Sequence, residues 1–298
     1  PGLAREWTFD EAACAYTFYL EEDVRWHDGE PFTSEDVRFT IEAIRDPAND
    51  SENAPNYEDV LEILTPDPCT VTFRLAAPNA AFLDYMTIPI LPRHLLEGED
   101  LQTSAFFRSP VGTGPYRLSR WDAGQAITMT KNEDYFREPA KIDTVVFKIV
   151  EDDSARALQL SAGELDLALL PPRYAAALEG REGFTVRRMQ TSDYRGILFN
   201  FHNPYWQENR DLIPALCCAL DRQAILDAVL LGHGTTAYGP LQRNPYNYSN
   251  VEHYDYDPVR AEDLLRQAGC VKGADGFYTR NGQPVGFVLS VGAGDQVR

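Results

Sequence analysis

Basic residues are scarce in this 298-residue chain. Lysine and arginine total 27 against 46 aspartates and glutamates, a formal net charge of −19. A nucleic-acid surface needs a basic stripe to neutralise phosphates, so the balance argues against that class of partner. Docking on anionic lipid heads is disfavoured for the same reason. The acidity fits cations or cationic peptides as ligands, and equally plain solubility. No apolar run approaches the ~18 residues of a membrane helix. The chain opens on Pro1 with no signal peptide, and a mature exported protein would read the same way. Cysteine is sparse, at five residues, and no CxxC pair occurs, so neither a zinc site nor a disulfide framework is visible. Cys217 and Cys218 read as small core residues of an apolar helix. A single long-range bridge, such as Cys14 to Cys69 across neighbouring strands, is conceivable, but nothing in the sequence supports it. The five histidines, His27, His94, His202, His233 and His253, show no HExxH spacing. There is no G-x-S-x-G and no cysteine paired with histidine in a recognisable motif. Carboxylate pairs such as Glu151 and Asp152 are expected among 46 acids and carry no glycosidase signal. Internal repeats and low-complexity segments are absent.

What is present is core-building material, 44% hydrophobic and 11% aromatic, in a chain long enough for about two domains. The most informative stretch runs from Val24 to Ile44. Val24 and Trp26 flank Arg25 as a short half-buried strand. His27, Asp28 and Gly29 supply turn chemistry, and a solvated turn is the plain reading of that histidine. Pro31 ends the strand. Thr33 predicts an N-cap, with Asp36 three residues on as the reciprocal acid. Val37, Ile41 and Ile44 recur at helical spacing, and Asp46-Pro47 closes the helix.

Alternation predicts strands at Cys14–Leu20, Tyr57–Leu64 and Thr70–Leu75, the last two paired. A short helix is expected over Ala80–Met86 and a helical turn over His94–Glu97. Ser109-Pro-Val-Gly-Thr-Gly-Pro-Tyr116 is a tight turn, where Gly112 and Gly114 are expected to supply backbone angles that other residues resist. A strand follows it, and neither GxGxxG nor a P-loop lysine is present, which argues against nucleotide binding. Strands are predicted at Tyr116–Trp121, Ala126–Lys131, Asp143–Val150, Leu165–Leu170, Phe184–Gln190 and Tyr194–Asn200. Ser154 is read as the cap of a helix that Gly163 stops, and Pro172–Glu179 as another helix. Further helices are Asp211–Leu220, Arg222–Leu230 capped by Asp221, and one opened by Asp257-Pro258 and closed at Gly269. Asn281-Gly282 predicts a type I′ hairpin between Phe277–Thr279 and Val285–Val291.

Several of these segments together resemble the family 5 extracellular solute-binding proteins, the peptide- and nickel-binding receptors of ABC importers. Trp26, His27, Asp28, Gly29, Pro31, Phe32, Thr33, Glu35, Asp36 and Val37 follow the family's fingerprint in order. Gly112–Tyr116 matches its Gly-Thr-Gly-Pro-Tyr turn, and Asn132, Tyr135 and Phe136 its Asn-x-x-Tyr-aromatic connection. Gly163, Glu164, Leu165 and Asp166 match a Gly-Glu-Leu-Asp step. Ala219–Ile225 is similar to its Ala-hydrophobic-Asp-Arg signature, and Leu3–Leu20 to its entry segment. Pro214 departs from the usual pattern in a first helical turn, where proline is tolerated.

The resemblance implies an α/β fold, two-lobed and periplasmic-binding-protein-like (type II, cluster C), with an inserted subdomain in lobe I and an incomplete second lobe. By analogy the insert covers 1–112, the core of lobe I 113–200, and the start of lobe II 201–298. A full-length member has a further strand before Leu3 and runs on past Arg298, so the chain resembles a fragment. The implied function is capture of a peptide or similar small solute between lobes and delivery to ABC permease subunits. It implies no catalysis and no cofactor. The location implied is periplasmic or cell-surface, with membrane attachment only through a lipid anchor outside these residues. The competing reading within the same fold is the ligand-sensing domain of a transcription regulator. Tyr85 and Met86 are candidate ligand walls, Arg108 a partner for a ligand carboxylate, and Tyr194 a further contact. Each also has a bland reading: core packing for the first two, a solvated arginine, and a packing aromatic.

Overall fold

A computed structural model describes residues 2–189, 191, 193–239 and 252–292. The chain divides into two compact units, Pro1–Val150 and Glu151–Arg298.

The first unit is organised by a four-stranded antiparallel sheet in the order β1-β2-β4-β3, formed by β1 (Ala4–Asp10), β2 (Ala15–Leu20), β3 (Val60–Asp67) and β4 (Thr70–Leu75). Its central strands carry the predicted alternation. Tyr16, Phe18 and Leu20 of β2 and Val71, Phe73 and Leu75 of β4 are buried together in one core cluster. On the opposite face the paired residues Thr17 and Thr72 share a hydroxyl hydrogen bond of 2.9 Å. Fully burying one such large apolar side chain stabilises the fold by about 1.5–3 kcal/mol, so this cluster dominates the unit. β1 was not predicted. Its sequence, Ala-Arg-Glu-Trp-Thr-Phe-Asp, is largely exposed and lacks a clean alternation. It is a strand because β2 offers it a free edge.

The core face is covered by α1 (Ser34–Arg45), which buries Val37 and Ile41 and packs Ile44 against the same cluster. The predicted cap is present: the Asp36 carboxylate accepts the Thr33 N–H at 2.8 Å, and its other oxygen accepts the Arg93 N–H at 2.9 Å. Thr40 Oγ1 donates to the Asp36 carbonyl and accepts the Leu91 N–H at 2.9 Å. Ser34 Oγ donates to the Asp67 carbonyl at 2.7 Å. The polar residues of this helix are therefore buried with partners, and they fasten the β3–β4 turn and the 91–93 segment to it. Two single-turn helices follow, α2 (Phe82–Tyr85) and α3 (Arg93–Leu96). A second sheet, β5 (Tyr116–Asp122), β6 (Ala126–Lys131) and β7 (Thr144–Lys148), is an antiparallel meander close to the predicted bounds.

The Cys14–Cys69 bridge is ruled out by the register. The Cys14 carbonyl accepts from Leu75 and the Cys69 carbonyl from Leu20, so the two lie at opposite ends of β2. Six strand residues separate them by about 20 Å, against the ~7 Å limit between Cα atoms of a disulfide. All five cysteines are free.

The second unit holds α4 (Asp153–Ser161), α5 (Pro172–Ala175), α6 (Pro204–Glu208), α7 (Ile213–Ala219), α8 (Arg222–Leu230) and α9 (Pro258–Gln267). A small sheet follows, β8 (Cys270–Lys272), β9 (Tyr278–Arg280) and β10 (Gln283–Pro284). Asp221 and Asp257 cap their helices as predicted. The cap of α4 is Asp152, not Ser154: its carboxylate accepts the Ala155 N–H at 2.7 Å. Pro204 starts α6, which buries Trp206. Asn281 and Gly282 adopt positive φ of 49° and 77°, the expected I′ turn.

Three predicted strands of this unit are not strands. Leu165–Leu170, the described part of Phe184–Gln190 and Tyr194–Asn200 form no ladder. Leu167, Leu169 and Leu198 are 85%, 76% and 95% exposed. Their composition suits a buried strand, but a strand exists only against a neighbour, and none of the described segments pairs with them. Val285–Val291 likewise makes one rung, from the Val285 N–H to the Tyr278 carbonyl, and then runs exposed. Gln190 lies outside the described residues.

Candidate functional site

The predicted binding residues occupy three separate settings. Tyr85 and Met86 end α2 half-buried against the core cluster of the first unit. The Tyr85 carbonyl accepts the Tyr57 hydroxyl, whose own pKa is raised by burial. Arg108 ends a 3-10 turn (Ala105–Arg108) and is exposed, its guanidinium 5.2 Å over the Trp121 ring. Stacking of this kind holds the plane of an arginine while leaving its N–H edge free to donate. Tyr194 belongs to the second unit and is 46% exposed. A groove of about 650 Å3 along α1 and β3, lined by Arg38, Glu42, Arg45, Leu61 and Leu64, contains none of these residues.

The best-built polar constellation joins the fingerprint turn to the Gly-Thr-Gly-Pro-Tyr turn, and the sequence did not show it. Residues 24–32 close as a small hairpin. The Trp26 N–H donates to the Glu30 carbonyl at 2.8 Å and the Phe32 N–H to the Val24 carbonyl at 2.9 Å. Pro31 does not block pairing; it bridges to Arg25. Trp26 and Phe32 anchor the hairpin in the core, with rings 6.0 Å apart and edge to face.

His27 is thereby turned away from solvent. Its N–H donates to the Gly112 carbonyl at 2.8 Å, its Nδ1 accepts the Gly112 N–H at 3.2 Å, and its Nε2 meets the Gly114 carbonyl at 3.0 Å. Arg117 of β5 donates to the His27 carbonyl at 2.8 Å and to Asn132 Oδ1, and pairs with Asp134 at 3.0 Å. Asn132 is 2% exposed and fully engaged: its Nδ2 donates to the Gly114 carbonyl at 3.1 Å and its N–H to the Pro115 carbonyl at 2.9 Å. The solvated-turn reading of His27 is corrected by these contacts. So is the role given to Gly112 and Gly114, neither of which has a positive φ. At Gly112 an added Cβ would sit 3.4 Å from His27 Cε1, at ordinary contact distance. No local signal could have revealed the arrangement, because its bonds from His27 span 85 to 90 residues.

Burial lowers the His27 pKa, and Arg117 adds to this; the Gly114 carbonyl and Asp28 act the other way without prevailing. For Asp28 burial pushes upward, but hydrogen bonds from His94 and the Glu30 N–H prevail and hold the carboxyl below its ordinary value. The His94–Asp28 contact is 2.8 Å. Among the described residues no group of three or more histidine, cysteine or carboxylate side chains could hold a metal ion, and no helix is long and apolar enough to cross a membrane.

The chain is similar to several known proteins. Protein XP55 of Streptomyces lividans is 34% identical over 282 residues, covering 95% of this chain and 52% of that protein. The structure of NikZ from Campylobacter jejuni in complex with Ni(L-His) superposes with a TM-score of 0.87 at 35% identity, over 95% of this chain and 57% of that one. The oligopeptide-binding protein AppA of Bacillus subtilis, in complex with a nonapeptide, gives a TM-score of 0.76 at 27% identity, over 95% and 58%. The chain thus spans a little over half the length of the relatives it matches. The mixed α/β fold of the periplasmic binding proteins, expected from the motifs, is the fold of these neighbours. The family described as "Bacterial extracellular solute-binding proteins, family 5 Middle" matches over residues 1–298, and the chain belongs to that family.

Proposed function

We propose that the protein carrying this chain is the extracellular receptor of an ABC importer, which captures a peptide or a comparably small solute and hands it to permease subunits. The family match over residues 1–298 carries the reading. The ligands named for two structural relatives, a nonapeptide and Ni(L-His), support a small solute with carboxylate and amine groups. Relatives named as peptide-binding transport proteins favour import over transcriptional sensing.

In this reading residues 1–112 are the inserted subdomain of lobe I, 113–200 its core and 201–298 the beginning of lobe II. Capture proceeds by closure of two lobes on the solute, with apolar walls and a few polar groups, and without bond chemistry. Tyr85 and Met86 supply wall. Arg108, its plane held by Trp121, donates to a solute carboxylate, and Tyr194 is a further contact. The protein acts outside the cytoplasm, periplasmic or held at the surface by a lipid anchor outside these residues, and uses no cofactor.

Native mass spectrometry of the purified whole protein tests this. A co-purified peptide or metal chelate of stoichiometry one is the expected result. Loss of a carboxylate hydrogen bond in Arg108→Gln should weaken binding of that solute by about 10- to 100-fold. A protein that carries no solute, binds neither peptides nor nickel–histidine in titration, and hydrolyses a peptide or glycoside panel would overturn the reading.

A further inference from the structure

The two groups facing the His27 ring are backbone groups of opposite and fixed polarity. The Gly112 N–H can only donate, so Nδ1 at 3.2 Å presents a lone pair. The Gly114 carbonyl can only accept, so Nε2 at 3.0 Å carries the proton. The site is therefore built for one form of the side chain, the neutral Nε2–H imidazole. A proton added at Nδ1 would set N–H against N–H, and the ring would have to leave.

We propose that His27 is a positioning residue that works as an acid-sensitive latch, holding the turn Gly112–Tyr116 to the fingerprint hairpin when neutral and releasing it when protonated. The latch stands on this geometry alone and does not depend on the solute-receptor reading.

The charged groups around the ring set its threshold. Arg117, from β5, opposes protonation and is partly balanced by Asp134 at 3.0 Å. Asp28, in the same hairpin, favours protonation, but its carboxylate is taken up by His94 of α3 at 2.8 Å. The turn 112–114 brings no titratable group. Burial tips the sum toward the neutral ring. Because the folded pKa lies below the ordinary 6.5, the unfolded chain takes up the proton first as the pH falls. The latch's stabilisation is thus complete above about pH 6.5 and is lost as pH falls through the folded value. Release would be partial, because the backbone N–H of His27 still donates to the Gly112 carbonyl, and Asn132 still holds the turn through the Gly114 and Pro115 carbonyls.

Hydrogen–deuterium exchange of the whole protein at pH 7.5 and pH 5.0, corrected for the intrinsic pH dependence of exchange, tests the latch. The Gly112, Thr113, Gly114 and Tyr116 amides should lose protection at the lower pH, because the proton that opens the latch is taken up there. In His27→Asn, whose Oδ1 can accept the Gly112 N–H without titrating, the segment's protection should not change with pH. Equal protection at both pH values in the wild type, or the same acid loss in the variant, would overturn the proposal. Imidazole 15N spectra of the wild type decide independently, and suffice if the variant does not fold. The Nε2–H tautomer with a midpoint below pH 6.5 is expected. An Nδ1–H tautomer, or a midpoint above 6.5, refutes it.

Discussion

The two units of this chain handle apolar surface in opposite ways. In Pro1–Val150 each large apolar side chain of the β2 and β4 inner faces is covered, by α1 on one side and by flanking strands along the edges. In Glu151–Arg298 the comparable runs, 165–170, 194–200 and 285–291, are exposed, with Leu198 at 95% and Val288 at 91%. The runs are as apolar as β4. What differs is the presence of a hydrogen-bonding neighbour. Strand formation is a property of pairs, whereas a helix closes its own hydrogen bonds, so among the described residues the second unit keeps its helices while these three runs find no partner beyond the one rung at Val285.

That contrast predicts unequal sensitivity to substitution. Phe73→Ala, at 0% exposure in β4, should cost about 3–5 kcal/mol of unfolding free energy in urea titration. Leu198→Ser, at 95% exposure, should stay within about 0.5 kcal/mol in the same chain. A comparable loss at both positions would break the comparison. Asp36→Ala removes the acceptor for two buried N–H groups, of Thr33 and Arg93, and should cost about 2–3 kcal/mol with loss of α1 helicity by circular dichroism. Asn132→Ala removes one of the two donors to the Gly114 carbonyl and the Oδ1 acceptor of Arg117, and about 1–3 kcal/mol is expected, read as a lower urea midpoint with unchanged slope. Gly112→Ala should be milder than the changes at Phe73, Asp36 and Asn132. Its Cβ would only reach contact distance of His27 Cε1, so the loss should remain under about 1 kcal/mol, with the histidine midpoint moved in the 15N spectra.

The same contrast explains what could be read in advance. α1 was legible to its ends because its signals are local: Thr33 and Asp36 at the start, Val37 and Ile41 along one face, Pro47 after the stop. β2 and β4 were legible because alternation survives in a sheet with one covered face. β1 was not, since its pairing is dictated by an edge of β2 that its own residues do not announce. Asp152 in place of Ser154 is a shift of two residues between equally good caps, settled by the Asp152 carboxylate, which accepts the Ala155 N–H. The family motifs pointed to the right neighbourhood, bringing Gly112–Tyr116, Asn132 and the His27 turn into view as separate matches. That they form one interlocked set, completed by Arg117, depends on contacts across the fold, which no window of sequence contains. The four candidate ligand contacts rest on the resemblance alone.

Calorimetric titration of the whole protein with nickel–L-histidine and with a pool of short peptides, followed by mass analysis of the recovered solute, addresses the central claim most directly. Saturable one-to-one binding of at least one of them, at micromolar affinity or tighter and with the solute recovered unchanged, is the predicted result. Absence of binding to either class, or recovery of a chemically altered solute, would contradict it.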